Sequence, residues 1–237
     1  MEEASTTPEK PQHKHPGRRK ILYNDKQWSS YGNEGVASYD RFFADQIGCQ
    51  RIIPFLEDRA KETKELVVVD IGSPTTYLEE ISHSVPLSYG LAISLSDLRS
   101  GGEKAYDQAH NIELIANDFL LPETRRQWEQ KIGKQKINLA MIRLWGGWKN
   151  FPKRLEPTLD LKLRHLLLDQ VYQHVDPNGG MILMDFEARF KPTISLWVAE
   201  MRKKGLDVKD YKGVLDLPYY PLSITRNPQS PDHLPML

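Results

Sequence analysis

The sequence predicts an α/β fold: an open, mostly parallel sheet closed by an antiparallel last strand, with helices on both faces. Three observations predict it. The run LVVVDIG (66–72) is short, β-branched and apolar but for Asp70, and it ends at glycine. A strand buried on both faces of a parallel sheet has that composition. Strand-like and helix-like segments then alternate along the chain at the spacing of right-handed βαβ units. Finally, LDVKDY (206–211) and YYPLSITRN (219–227) are joined by a link too short for a helical crossover, which favours an antiparallel hairpin at the sheet edge.

Each element follows in order. Residues 36–62 carry Phe42, Phe43, Ile47, Ile52, Ile53 and Phe55 at mainly helical spacing, with Pro54 expected to bend or break the run. One or two helices therefore precede the first strand at 66–72. TTYLEEISHSV (75–85) reads as a helix, SYGLAISLS (88–96) as a strand, and RSGGEKAYDQAH (99–110) as a loop and short helix. IELIAND (112–118) is the third strand, LPETRRQWEQKIG (121–133) a polar helix and INLAMIRL (137–144) the fourth strand. The amphipathic helix 159–175 is stopped by DPNGG, MILMDF (181–186) is the fifth strand and PTISLWVAEMRKKG (192–205) a last helix. In such sheets ligands bind beyond the C-terminal ends of the strands, so the loops after each strand matter most.

Composition narrows the function classes. The 32 Lys and Arg balance 32 Asp and Glu, which excludes a general attraction to nucleic acid or membrane. The local exception is KPQHKHPGRRK (10–20), a basic run without apolar periodicity. It is expected to be disordered, either as a solvated leader or as an arm for a partner or nucleic acid. The single cysteine, Cys49, excludes an intrachain disulfide framework and a Cys-clustered metal site, and a cytoplasmic setting is expected. No apolar run reaches membrane-spanning length and the first residues lack a secretory signal pattern, so no membrane association is expected. No metal is expected. The organisation is read as a tail (1–20), an N-terminal helical cap (21–64) and an α/β domain (65–230).

Four local sequences, taken in order, give this layout a family likeness. VVVDIGSPTTYLEEI pairs an apolar strand and Asp70 with a turn at Gly72 and Ser73 leading into a helix; SYGLAISLSDLRS, IELIANDFL and INLAMIRLWGGWKNFP follow. The chain between about 36 and 227 resembles the class I S-adenosylmethionine-dependent methyltransferases, whose Rossmann-like sheet has seven strands. The resemblance implies S-adenosylmethionine as cofactor and an unidentified methyl acceptor, a small molecule foremost. It implies that Asp70 supports the loop or the cofactor's amino group and that Gly72 lets the backbone approach the methionine part, while Ser73, also on the cofactor side, matches a position often small and polar. Pro74 and Thr76 stand where the family keeps glycines, and Pro74 lacks an N–H donor. At the second strand Ala92 occupies the position of a ribose-binding acid, leaving Ser94 or Asp97 to substitute; Asp97 as a helix cap is the competing reading. Asp118, flanked by Asn117 and Phe119, matches the acid that receives the adenine amine, with a helix cap again as the alternative. Asn138 replaces an acid common at the fourth strand. Arg143 stands at its C-terminal end, and Trp145 and Trp148 form either an aromatic wall over the acceptor or ordinary packing.

Asp185, Glu187, Arg143 and Arg189 fall near strand ends, where a general base would stand, although such residues more often form ion pairs. No role is assigned to His83, His110, His165 or His174, and Cys49 reads as buried packing. The chain lacks a Walker phosphate loop, a zinc-protease helix, a nucleophile elbow and the spacing of a dinucleotide fingerprint. Two functions remain: a methyltransferase, favoured by Asp70, Gly72 and Asp118, and an inactive methyltransferase-like scaffold, favoured by Pro74, Thr76, Ala92 and Asn138.

Overall fold

Alternation of side chains along the first strand decides how the layers form. All five residues of β1 (Val67–Ile71) are buried, because a strand covered on both faces has no polar side to present. The computed structural model describes residues 35–95, 97, 99–142, 157–213 and 219–236; the basic run 10–20, Arg143, Trp145 and Trp148 lie outside them. Among the described residues three helices precede β1: α1 (Val36–Phe42), α2 (Ala44–Ile47) and α3 (Ile52–Glu62). There follow α4 (Thr76–Ser84), β2 (Tyr89–Ser94), α5 (Gly101–Ala109), β3 (Ile112–Ala116), α6 (Pro122–Ile132) and β4 (Leu139–Ile142). The chain continues through α7 (Pro157–His174), β5 (Met181–Glu187), α8 (Lys191–Lys203), β6 (Asp207–Asp210) and β7 (Tyr219–Thr225).

The seven strands form one sheet in the order β3-β2-β1-β4-β5-β7-β6. The first five strands pair in parallel, and β7 runs antiparallel between β5 and β6. This is the seven-stranded, mostly parallel sheet expected above. The hairpin is present, but β7 inserts inward and leaves β6 as the edge. Val67, Val69 and Ile71 pack into one apolar layer with Trp128 of α6, Leu168 and Val171 of α7 and Trp197 of α8. Val68, between them, packs into the other layer with Tyr39 of α1, Leu56 of α3 and Leu78 of α4. Helices therefore cover both faces, and the strand order reverses between β1 and β4, where open α/β sheets have their binding crevice.

Pro54 neither bends nor breaks a helix. It sits in the first turn of α3, where its missing N–H leaves no intrahelical bond unmade. The interruption falls earlier, at Gly48, whose left-handed φ of 67° ends α2. Asp40 then caps α3 from a distance, its Oδ1 accepting the Ile52 N–H at 2.8 Å.

Candidate functional site

At the end of β1 the acid and the glycine take separate tasks. Asp70 is fully buried and lies on the Val68 side of the strand, facing the layer that contains α1 and α4. The Tyr39 hydroxyl donates to Asp70 Oδ1 at 3.4 Å, and the Tyr77 ring stands edge-on to Tyr39 at 4.8 Å. Gly72 has φ of 107° and its N–H donates to the Ile93 carbonyl at 2.7 Å. A side chain would be strained in that conformation, so this glycine is required by the turn. Ser73 is buried beside it. The two departures from a glycine-rich loop are mild in place. Thr75 caps α4, so Pro74 lies outside the helix and Thr76 is its first residue. Neither interrupts the helical ladder.

At the end of β2, Ala92 pairs in register with Asp70, and Ser94 pairs with Ala116 of β3. Ala92 and Ser94 are both buried. Asp97 is not a helix cap: Ser100 caps α5 through a reciprocal bond with Glu103. The Asp97 carboxylate is instead gripped by Arg99, whose Nε reaches Oδ1 at 3.0 Å and whose Nη2 reaches Oδ2 at 3.1 Å. Lys104 adds a second cation at 3.2 Å. Bonds to the Arg99 guanidinium hold this carboxyl far below the usual carboxylate range. Arg99 also donates to Asp107 Oδ2 at 2.7 Å.

Past β3 the chain turns on Asn117 and Asp118. Asn117 Oδ1 accepts the Asp118 N–H at 2.9 Å, and Asp118 Oδ1 accepts the Leu120 N–H at 2.9 Å. Asp118 thus orders a turn ahead of α6, whose cap is Leu121, and its half-buried carboxylate keeps further acceptor capacity. The Phe119 side chain belongs to the core, packed edge-on against Trp128 at 6.0 Å; only its backbone is left for a ligand.

Asn138 sits at the opposite, N-terminal edge of the sheet. Its buried amide oxygen accepts the Val67 N–H at 2.7 Å, pinning β4 to β1. Asp185 and Glu187 stand half-buried at the end of β5. Nearby, the buried guanidinium of Arg164 lies 3.7 Å from Glu187 and 5.6 Å over the Phe190 ring. Arg189 lies in the adjoining 3₁₀ turn, Ala188–Phe190. Cys49 is buried, and burial pushes its thiol up to about 11, which fits packing and not nucleophilic chemistry. Among the described residues no cluster of three metal-ligating side chains occurs, and no helix is long and apolar enough to cross a membrane.

The structure brings Asp70, Gly72, Ser73, Ser94, Asn117 and Asp118 to the C-terminal ends of β1, β2 and β3, and sets Asn138 apart from them. Sequence reasoning missed Tyr39, Arg99 and Arg164. Arg99 carried a faint signal, two residues after an acid in a strand-end loop; the others carried none.

No family model matches the chain, and no curated protein does. Several solved structures are similar in fold. One is an rRNA methylase from Streptococcus thermophilus, 14% identical, covering 74% of this chain and 93% of its own, with a TM-score of 0.47. Another is a precorrin-6y C5,15-methyltransferase from Geobacter metallireducens, 15% identical over 76% of this chain and 90% of its own, TM-score 0.41. A third is a ribosomal protein L11 methylase from Lactobacillus delbrueckii subsp. bulgaricus, 15% identical over 74% of this chain and 77% of its own, TM-score 0.39.

Proposed function

We propose that this chain binds S-adenosylmethionine across the C-terminal ends of β1, β2 and β3 and is a methyltransferase acting on a small-molecule acceptor. One observation carries the reading: three polar strand ends converge beside the point where the strand order reverses. The positive-φ glycine turn follows Asp70, Ser94 ends β2, and the Asn117–Asp118 turn follows β3. The donor set fits the group in kind. Asp118 retains acceptor sites for an exocyclic amine, the Phe119 backbone N–H suits a ring nitrogen, and the first turn of α4 presents its N–H end to a carboxylate. When bound, the cofactor supplies an electrophilic methyl on a sulfonium. The protein's own share is then orientation, water exclusion and, where the acceptor needs it, a base. Asp185 and Glu187 at the end of β5 are the candidates for that base, with the Arg164 guanidinium 3.7 Å from Glu187. The basic run 10–20 is assigned to a partner or nucleic acid on charge alone.

A second reading, an inactive methyltransferase-like scaffold, draws on two observations. Asp97 is committed to Arg99 and Lys104, and Asp70 is closed over by Tyr39. Calorimetric titration of S-adenosylmethionine and S-adenosylhomocysteine into the chain separates the two. Micromolar binding is expected. Asp118→Asn keeps an acceptor for the Leu120 N–H but loses the charge, and is expected to weaken binding roughly tenfold or more. No heat at millimolar cofactor overturns the enzyme reading.

A further inference from the structure

β6 stands at one margin of the sheet, and among the described residues it pairs with β7 alone. The outer side of such a strand offers N–H and C=O groups to any second strand, and proteins that stay apart blunt it. The register identifies those groups. Just beyond β6 the Tyr211 N–H donates to the Pro221 carbonyl at 3.3 Å, so residue 211 turns its backbone towards β7. Bonding direction alternates along an antiparallel ladder, and Val208 and Asp210 therefore turn theirs away from β7. Arg202, in the last turn of α8, meets that outward row. Its Nε and Nη2 donate to the Val208 carbonyl at 3.1 and 2.8 Å, and Nη2 also pairs with Asp210 Oδ1. The Tyr220 hydroxyl donates to the other oxygen of the same carboxylate. A turn through Gly205, with φ of 83°, brings the chain from α8 back into β6 and so sets the guanidinium beside the edge.

We infer that Arg202 guards the β6 edge against strand addition, and that the partner it excludes is a second copy of this chain. Two donors on one carbonyl take up the acceptor in the middle of the outward row, and the cation stands where a partner strand would lie. Charge singles out the second copy. Asp207 and Lys209 are exposed on one face of β6, while Val208 between them is buried in the layer with Trp197 of α8. Consider two β6 strands paired antiparallel about a two-fold axis. Centred on Val208, the Val208 N–H and C=O of the two copies bond each other, using the very carbonyl that Arg202 holds. Each Asp207 then faces the other copy's Lys209, in the closer kind of cross-strand pair. Centred one residue to either side, the pairing sets Lys209 against Lys209 or Asp207 against Asp207. One register is attractive and its neighbours are repulsive, so charge selects it. Lys209 Nζ also donates to the Gly48 carbonyl at 2.9 Å, but an ammonium carries three donors and can serve both. The edge is complementary to itself, and Arg202 holds it closed.

Sedimentation velocity of the full chain over a concentration series reaching millimolar protein, with hydrogen exchange read at the Val208 and Asp210 amides, tests the guard and its partner. The wild type is expected to sediment as a monomer and to exchange both amides quickly. Arg202→Met keeps the length of the side chain and removes its donors. It should give a concentration-dependent species of doubled mass, with the Val208 amide slowed in step with dimer formation. Adding Lys209→Asp sets acid against acid and should return the monomer. Adding Asp207→Lys as well reverses both charges and should restore the dimer, which general stickiness would not do. A folded Arg202→Met that stays monomeric at every concentration overturns the guard. A dimer indifferent to Lys209→Asp overturns the pairing about Val208. A wild type that already dimerises with both amides slowed, or a wild-type monomer whose amides are already protected, overturns the guard without recourse to any variant.

Discussion

Asn138 shows how a position judged by a motif is better judged by its partners. Against the family pattern it counts as a missing acid, yet its amide oxygen pairs with a buried backbone N–H of β1. Asn138→Ala would leave the Val67 N–H buried and unpaired, at a cost of about 1–3 kcal/mol. Urea unfolding should show a lower midpoint with an unchanged slope, and cofactor binding per folded molecule should be unaltered. Cys49 makes the opposite point, because its role was legible from the start. With its thiol raised from 9.0 to about 11, the reactive thiolate is roughly a hundredfold scarcer than in an ordinary cysteine. Native protein at pH 8 should label slowly with a thiol reagent, and addition of denaturant should release fast labelling of one group. The strand-end positions of Asp70, Gly72 and Asp118 were legible because turns after strands constrain residue type locally. Tyr39 and Arg99 were not, since their roles depend on contacts between elements that no spacing rule encodes.

At the scale of elements, helices and strands were readable wherever periodicity was strong, and their ends wherever a cap was local. Pro54 was misread because its effect depends on where the helix starts, and that start is fixed by Asp40 twelve residues upstream. Of the two readings open for Asp97, the helix cap fails because Ser100 and Glu103 form the reciprocal pair that caps α5. The far end of α7 is closed by another long-range partner. Arg226, just past β7, donates from Nη1 to the carbonyls of Tyr172, Gln173 and Val175 at 3.1, 3.2 and 3.1 Å. Its guanidinium also lies 4.8 Å over the Tyr172 ring. The Tyr172 carbonyl also takes the Val175 N–H at 3.0 Å, and the buried cation adds a donor to these carbonyls at the end of the helix. Arg226→Met keeps the bulk and removes the donors. About 2–3 kcal/mol of stability should go with it, and amide exchange should accelerate first in the last turn of α7.

For the whole molecule, the sheet order was the most legible property, because alternation of buried strands with helices leaves few topologies once crossovers are right-handed. What alternation does not encode is how the helical segments ahead of the first strand are tied to the rest. One such tie is Arg59 of α3, buried and reaching the segment between α7 and β5. Its Nη2 meets Asp176 Oδ2 at 2.6 Å and its Nη1 meets the Asn178 carbonyl at 2.7 Å. Glu62 pairs with it from the same helix. Gly179, with φ of 110°, lets the backbone pass close by, for an added Cβ would stand 3.1 Å from the guanidinium. Since α3 packs on one face of the sheet and α7 on the other, this ion pair joins the two layers around the N-terminal edge, away from the proposed site. Removing one partner of a buried pair leaves the other charged and unsatisfied, so Arg59→Ala should cost about 3–5 kcal/mol. Replacing both, as Arg59→Met with Asp176→Leu, should recover much of that loss, because the desolvation of two charges disappears with them. Denaturant midpoints for the single and double variants decide the matter: a double variant no better than Arg59→Ala would mean that the bond to the Asn178 carbonyl, and not the ion pair, holds α3 against the sheet.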